Sequence, residues 1–359
     1  MSDALAPEDQ LRLEVLLAQD LKAVRLDESS MVLVALTARG EASIPLHPTG
    51  RPEKYLRLVR ELLSGHALGS PSGYPVYLTR WTRHGQMETD NLGKLLLIGE
   101  PEAVVAVVHS PALTDELAEY AWWAMPTIEN ARLMLRREAV ASGHMGRVLA
   151  DFLVEHLPFL QDDHLAILDT VAVLLTSGVL GEEQRTAIWR RGKRTNTYYV
   201  PFLELTPDHV PEPDARARPH PAADLLAALA GEGNAAARSL LWALSAQGQA
   251  WLTAAQEVLA RPETQEVVNH LFNALGAAFR PAGAAPDAPL PGLASARAAC
   301  PELEAEWGAM EALARVSEAL LTPIFARSSA IGSLMRRKIA PLVEPILGHI
   351  RTLRGQAGA

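Results

Sequence analysis

From about Asp90 onward, apolar stretches two to four helical turns long recur, each closed by proline or glycine and reopened by a capping residue. Residues 95–98 run into Gly99-Glu100-Pro101-Glu102, and 103–108 end at His109-Ser110-Pro111. Thr114-Asp115-Glu116 opens 117–123, Met125-Pro126 closes it, and Thr127 caps 128–138. Segments 143–157, 163–175 and 181–191 follow in the same manner. Proline removes a backbone donor and clashes with the preceding turn, so such a chain cannot build long helices. It is predicted to fold as short helices packed into an irregular array or bundle, with no strict repeat period. The valines of 103–108 favour a strand, but Pro101 at a first helical position and the helical neighbours favour a helix.

The first 88 residues read differently, as a small α+β unit. Pro7, Glu8 and Asp9 open a helix, since the N-terminal dipole favours anions. Runs 24–26, 31–36 and 41–46 have strand character, with Thr37-Ala38-Arg39-Gly40 as a hairpin turn. Helical spacing returns over 51–64, and 74–81 is predicted extended. The expected class is therefore mainly α (α+β), divided into 1–88, the short-helix array 89–205, a Pro-rich linker 206–221, a helical segment 222–280, a Pro/Ala/Gly linker 281–299 and a C-terminal helical segment 300–359. Five prolines in 206–221 and one charge, Asp287, in 281–294 predict extended surface segments. The last segment is expected to break near Pro323, Pro341 and Pro345. Its core side is expected to hold Met310, Leu313, Leu320, Leu321, Ile324, Phe325, Ile331, Leu334 and Met335.

Composition narrows the function classes. With 48% hydrophobic residues the chain of 359 can bury a sizeable core. A net charge of −9 excludes nucleic-acid binding through an overall positive field, and leaves a local basic patch open. The single cysteine, Cys300, excludes an internal disulfide, a thiolate zinc site and a Cys-ligated cluster. Its place before Pro301-Glu302, at an expected helix start, would lower the thiol pKa. No secretory leader or transmembrane stretch is read, so a cytoplasmic location is expected. No His pair has metal-ligand spacing, and no cofactor motif occurs; neither a metal nor a cofactor is expected.

Four surfaces invite chemistry. Arg80, Trp81, Arg83 and His84 place aromatics and guanidiniums on one extended stretch, suited to an anion or a planar group. Arg83-His84-Gly85 also resembles the Arg-His-Gly motif of histidine phosphatases, in which His is phosphorylated and Arg binds the phosphoryl oxygens. His109 follows too closely for the second histidine of that fold. Arg190, Arg191, Lys193 and Arg194, with Arg185 before them and Tyr198-Tyr199 after, form a basic and aromatic cluster that would contact phosphates. The competing reading is a helix C-terminus, where cations are favoured, followed by a solvated loop. Arg336-Arg337-Lys338 is a weaker cluster of the same kind. Trp122 and Trp123, about 100° apart on a helix, allow one ring to enter the core while the other faces a groove or partner.

Several strings resemble DsrS, a family encoded with dissimilatory sulfite reductase genes. They are Glu61-Leu62-Leu63-Ser64-Gly65-His66, Leu68-Gly69-Ser70-Pro71, Tyr74-Pro75-Val76-Tyr77-Leu78, Arg80-Trp81-Thr82-Arg83 and Gly85-Gln86-Met87. Stretches 95–100, 101–111 and Ala121-Trp122-Trp123-Ala124-Met125-Pro126 fit as well, and the resemblance covers roughly 10–205. It implies a non-enzymatic accessory or regulatory protein of sulfite reductase-dependent sulfur oxidation, acting on protein partners of that system. It carries no catalytic residues over. The alternatives are a nucleic-acid-binding regulator using 185–199 and a phosphohydrolase at Arg83 and His84. Oligomeric state is not read from the sequence.

Overall fold

The computed structural model describes residues 5–69, 89–213, 221–326 and 331–356. It is mainly helical, with one three-stranded sheet near the N-terminus followed by a helical array. The chain divides into two compact units. One comprises Met1–Glu155 and Ser177–Val179, the other His156–Thr176 and Leu180–Ala359. The expected boundary at 88/89 falls inside the first unit, and both expected linkers fall inside the second.

In the first unit, α1 (Pro7–Leu17) leads into β1 (Leu21–Asp27), β2 (Val32–Thr37) and β3 (Gly40–Pro45), and α2 (Pro52–Leu68) follows. The strands pair antiparallel in the order β1-β2-β3. Ala38-Arg39 form the two-residue loop between β2 and β3, with Thr37 opposite Gly40. Gly40 has φ +116°, a conformation that strains any residue with a Cβ. Alternate residues Leu33, Ala35 and Thr37 are buried, as period two requires when one face meets a core. Leu13, Leu16 and Leu17 of α1 and Tyr55, Leu56, Val59 and Leu63 of α2 pack on that face. α2 runs one turn beyond the expected 51–64 and ends at Gly69, φ +68°.

One buried carboxylate ties these elements together. Asp9 is fully buried; its oxygens accept from Tyr55 Oη at 2.5 Å and from the His47 backbone N–H at 2.6 Å. His47 Nδ1 lies 2.9 Å from the other oxygen. Burial pushes the carboxyl pKa up, but the hydrogen bonds from His47 and Tyr55 outweigh it and hold Asp9 below the ordinary value.

The rest of this unit is α3 (Thr89–Leu95), α4 (Pro101–His109), α5 (Asp115–Ala124), α6 (Ile128–Leu135), α7 (Glu138–Ala141) and α8 (His144–His156). Thr114 and Thr127 cap α5 and α6, each Oγ1 accepting at 3.2 Å from the third residue on. Segment 103–108 is helical, with Pro101 at the start of α4. α8 takes its cap from another helix: Asp115 accepts from the backbone N–H groups of His144 and Met145, at 2.8 and 3.0 Å.

The second unit contains α9 (His164–Thr176), α10 (Glu182–Arg191), α11 (Tyr199–Leu205), α12 (Ala223–Gly231), α13 (Ala235–Leu244) and α14 (Ala246–Ala260). It continues with α15 (Gln265–Phe279), α16 (Leu293–Ala299), α17 (Glu304–Ala314), α18 (Thr322–Phe325) and α19 (Gly332–Leu353). Trp251 and Trp307 are fully buried, and their indole N–H groups donate to Leu203 O and Cys300 O, at 2.9 and 3.1 Å.

Three expectations are corrected here. α19 runs through both Pro341 and Pro345 without a break. Each proline orphans the carbonyl four residues earlier, Arg337 and Pro341. Arg337, Pro341 and Pro345 all lie on the exposed side of the helix, while Ile339, Val343, Ile346 and Ile350 bury the opposite side. Leu320, Ile331 and Leu334, expected in the core, are exposed. The apolar face of α19 takes up the packing instead, against α14 and α17. Finally, 206–221 is not simply extended surface: Val210 is buried and its N–H donates to Gln247 Oε1 at 2.9 Å.

Replacing Asp9 by alanine leaves the Tyr55 hydroxyl and the His47 N–H without their acceptor. Denaturant unfolding of Asp9→Ala is expected to show a loss of about 2–4 kcal/mol at neutral pH. Because the folded pKa is depressed, this contribution is complete above the unfolded value of about 3.9 and lost as pH falls through the folded one. Wild type and variant should therefore differ less below about pH 4.

Candidate functional site

The basic cluster lies at the C-terminus of α10 and in the exposed turn after it, and part of it forms the wall of a cleft. α10 ends at Gly192, whose Cα lies so close to the Tyr199 ring that an added Cβ would sit 2.4 Å from it. Tyr199 is itself packed on Trp189, ring centroids 4.5 Å apart. Burial pushes the Tyr199 pKa up to about 12, with Glu257 and Glu212 adding to the shift. This contact fixes where the chain turns, and short turns follow: Lys193 N–H bonds to Arg190 O and Arg194 N–H to Arg191 O.

The cleft beyond this turn has a volume of about 510 Å³. Lys193 and Arg194 line one wall, Arg261 comes from the connection between α14 and α15, and Arg336 from the start of α19. His164 and Gln161, at and before the start of α9, line it too. Arg194 and Arg261 have no ion-pair partner among the described residues. Arg336 Nη1 donates to Pro262 O at 3.3 Å. Four cations drawn from three separate stretches thus converge on one space, against Asp162, Glu257 and Glu263. A second hollow of about 480 Å³ shares Gln161, Asp162, Arg194 and Thr195 with the first and adds Pro158, Arg191 and Tyr198.

Its polar framework is oriented from behind. His164 Nδ1 lies 3.1 Å from Glu263 Oε2 and 2.9 Å from Thr197 Oγ1. The Thr197 hydroxyl donates to Glu263 at 3.4 Å, so His164 and Thr197 converge on the same carboxylate oxygen. Asn196 Nδ2 donates to Arg261 O at 2.9 Å, holding the Arg261 backbone, while Asn196 Oδ1 is shielded from solvent and has no partner. A shielded acceptor without a donor costs free energy unless something else fills it. Gln161 has φ +39° in the turn closed by Asp163 N–H to Leu160 O at 2.8 Å. Such strain in a non-glycine residue is concentrated at functional positions.

The cluster expected from the sequence is thus split. Arg194 and Lys193 line the first hollow and Arg191 the second. Arg190 is turned to Glu212, Nε to Oε1 at 2.7 Å, and Lys193 Nζ lies 3.7 Å from the other oxygen. The Arg190 hydrogen bond in turn holds the Glu212 pKa below its ordinary value. Arg185 donates to His209 O at 3.0 Å. Tyr198 and Tyr199 are buried rather than presented for stacking on a polymer; Tyr198 Oη donates to Leu157 O at 3.1 Å.

Trp122 and Trp123 are both half-buried and both engaged within the chain. Trp122 meets Phe152 edge-on at 4.7 Å. Trp123 Nε1 donates to Glu41 Oε1 at 2.6 Å, and the Arg25 guanidinium lies over its ring at 4.5 Å. Arg80, Trp81, Arg83 and His84 lie outside the described residues. His109 Nδ1 is 2.8 Å from Val105 O of its own helix. Cys300 is fully buried, so burial pushes its thiol pKa up rather than down, with Glu302 adding to the effect. The helix-start argument fails there because desolvation dominates.

No protein-family model matches this chain, and no curated protein or solved structure is significantly similar to it. His164, Gln161 and Arg261 were missed by sequence reasoning. Each is unremarkable in its own segment, and none lies within twenty residues of the 190–194 run. The one available signal was Arg336, read as a weaker basic cluster.

Two substitutions separate strain from packing. Gln161→Gly is expected to leave unfolding free energy unchanged or raise it by up to about 1 kcal/mol, because glycine accepts φ > 0. Gly192→Ala, meeting the Tyr199 ring, is expected to cost about 1–3 kcal/mol in the same denaturant titration.

Proposed function

We propose that this chain is a non-enzymatic accessory or regulatory protein that acts by binding, and that the cleft of the second unit is its anion-recognition site. The convergence of Lys193, Arg194, Arg261 and Arg336 on one half-open cleft carries this reading. Its volume lies in the range of small-molecule sites. A polymer backbone would need a long exposed track of free cations, and here the exposed Arg190 is already paired with Glu212. The geometry therefore favours a small anion over RNA or DNA. Arginine forks suit phosphate and carboxylate oxygens bidentately, and partial enclosure lessens screening by salt.

The strings within 61–126 that resemble DsrS support a setting in cytoplasmic, sulfite reductase-dependent sulfur oxidation, with protein partners from that system. Among the described residues no helix is long and apolar enough to cross a membrane. In this setting the protein would report an anionic metabolite to a partner. Purification of the tagged chain from native lysate tests the setting: co-purifying sulfite reductase components support it, and a partnerless chain overturns it.

The site itself is tested by calorimetric titration of the full chain with inorganic pyrophosphate at low ionic strength. One saturable site is expected, weakened by added salt. The Arg194→Gln/Arg261→Gln double variant should lose about 100-fold in affinity, close to 2.7 kcal/mol, with its unfolding curve unchanged. Absence of saturable binding in the wild type overturns the reading.

A further inference from the structure

The two hollows are neighbours that share Gln161, Asp162, Arg194 and Thr195, and their linings differ in chemistry. The first carries the cations Lys193, Arg194, Arg261 and Arg336 together with the carboxylates Asp162, Glu257 and Glu263. The second adds Pro158, Arg191 and the largely buried Tyr198. Between them lie Gln161, Asp162 and Thr195, which face both spaces. A simple anion would use only the first hollow. It would leave unexplained the Asp162 carboxylate, which lines both hollows.

We infer that the two hollows together accommodate a nucleoside di- or triphosphate, an inference that rests on the anion-recognition reading above. The phosphates lie among Arg194, Arg261, Arg336 and Lys193, where guanidinium forks meet phosphoryl oxygens. The ribose lies at the junction, where a carboxylate such as Asp162 accepts from sugar hydroxyls, as acidic residues do in dinucleotide sites. The base lies in the second hollow beside Pro158, where the Arg191 guanidinium stacks on it. Such a ligand combines an anionic end with O–H and N–H donors, and the cleft offers both kinds of partner. Volumes of about 510 and 480 Å³ give each half of the ligand its own space. The strained Gln161 holds the junction, with its side chain on the boundary between the two hollows.

The experiment compares ADP, ATP, GTP, ribose 5-phosphate and inorganic pyrophosphate by calorimetry and thermal shift on the full chain. At least one nucleotide is expected to bind 10-fold or more tightly than both ribose 5-phosphate and pyrophosphate. Asp162→Ala, an exposed position whose replacement leaves the fold intact, should weaken the nucleotide about 10-fold and leave pyrophosphate unchanged. Arg261→Gln should weaken both together, and unfolding curves confirm that each variant is folded. Pyrophosphate binding as tightly as every nucleotide, or nucleotide binding indifferent to Asp162→Ala, overturns this inference and leaves the anion site standing. Failure of all five ligands to bind overturns both.

Discussion

Most helices of this protein have seven to fifteen residues, and helices of that length are marginal in water by themselves. Each persists because one face is buried, so the position of every loop depends on how neighbouring helices pack. α10 shows the consequence. Its end is held by Trp189 and by the Tyr199 ring lying against Gly192, and the loop that follows has no freedom to place its cations elsewhere. The cleft is thus a by-product of packing that is rigid on the apolar side and charged on the other.

The same logic governs polar groups. Buried donors and acceptors are paired almost everywhere, as at Asp9 with Tyr55 and His47, and at the indoles of Trp251 and Trp307. Asn196 Oδ1 is one of a few exceptions among the described residues, with Trp242 Nε1 and Asn269 Oδ1 among the others, and its residue lines the cleft. Gln161 is a comparable exception in backbone conformation. Two departures from local rules at one cleft are what a binding site is expected to show, since the scaffold elsewhere compensates for their cost.

Much of the architecture was legible. The capping threonines 114 and 127, the start of α4 at Pro101, and the hairpin at Ala38-Arg39 follow from residue chemistry that acts within a few positions. The errors came where a local rule met a longer-range fact. Pro341 and Pro345 were read as breaks, but they share an exposed stripe with Arg337, and burial of the opposite face holds the helix together through them. Ile331 and Leu334 looked like core residues until the packing face of α19 was set by Ile339, Val343 and Ile346. A helix start before Pro301 would acidify the Cys300 thiol, but the cysteine is buried, and desolvation pushes its pKa up.

The sequence by itself determined the mainly helical class, the small N-terminal sheet and the places where most helices start, because propensity, capping and hydrophobic period are local. It also marked Arg190, Arg191, Lys193 and Arg194 as cations in need of an explanation. Which of them remain free was decided by tertiary structure alone. Glu212 claims Arg190 and reaches Lys193, while Arg194 is joined by Arg261 and Arg336 from segments far away in the chain. Electrostatic interaction depends on distance in space, and no pattern along a single sequence encodes which distant charges will be brought within a few ångströms of one another.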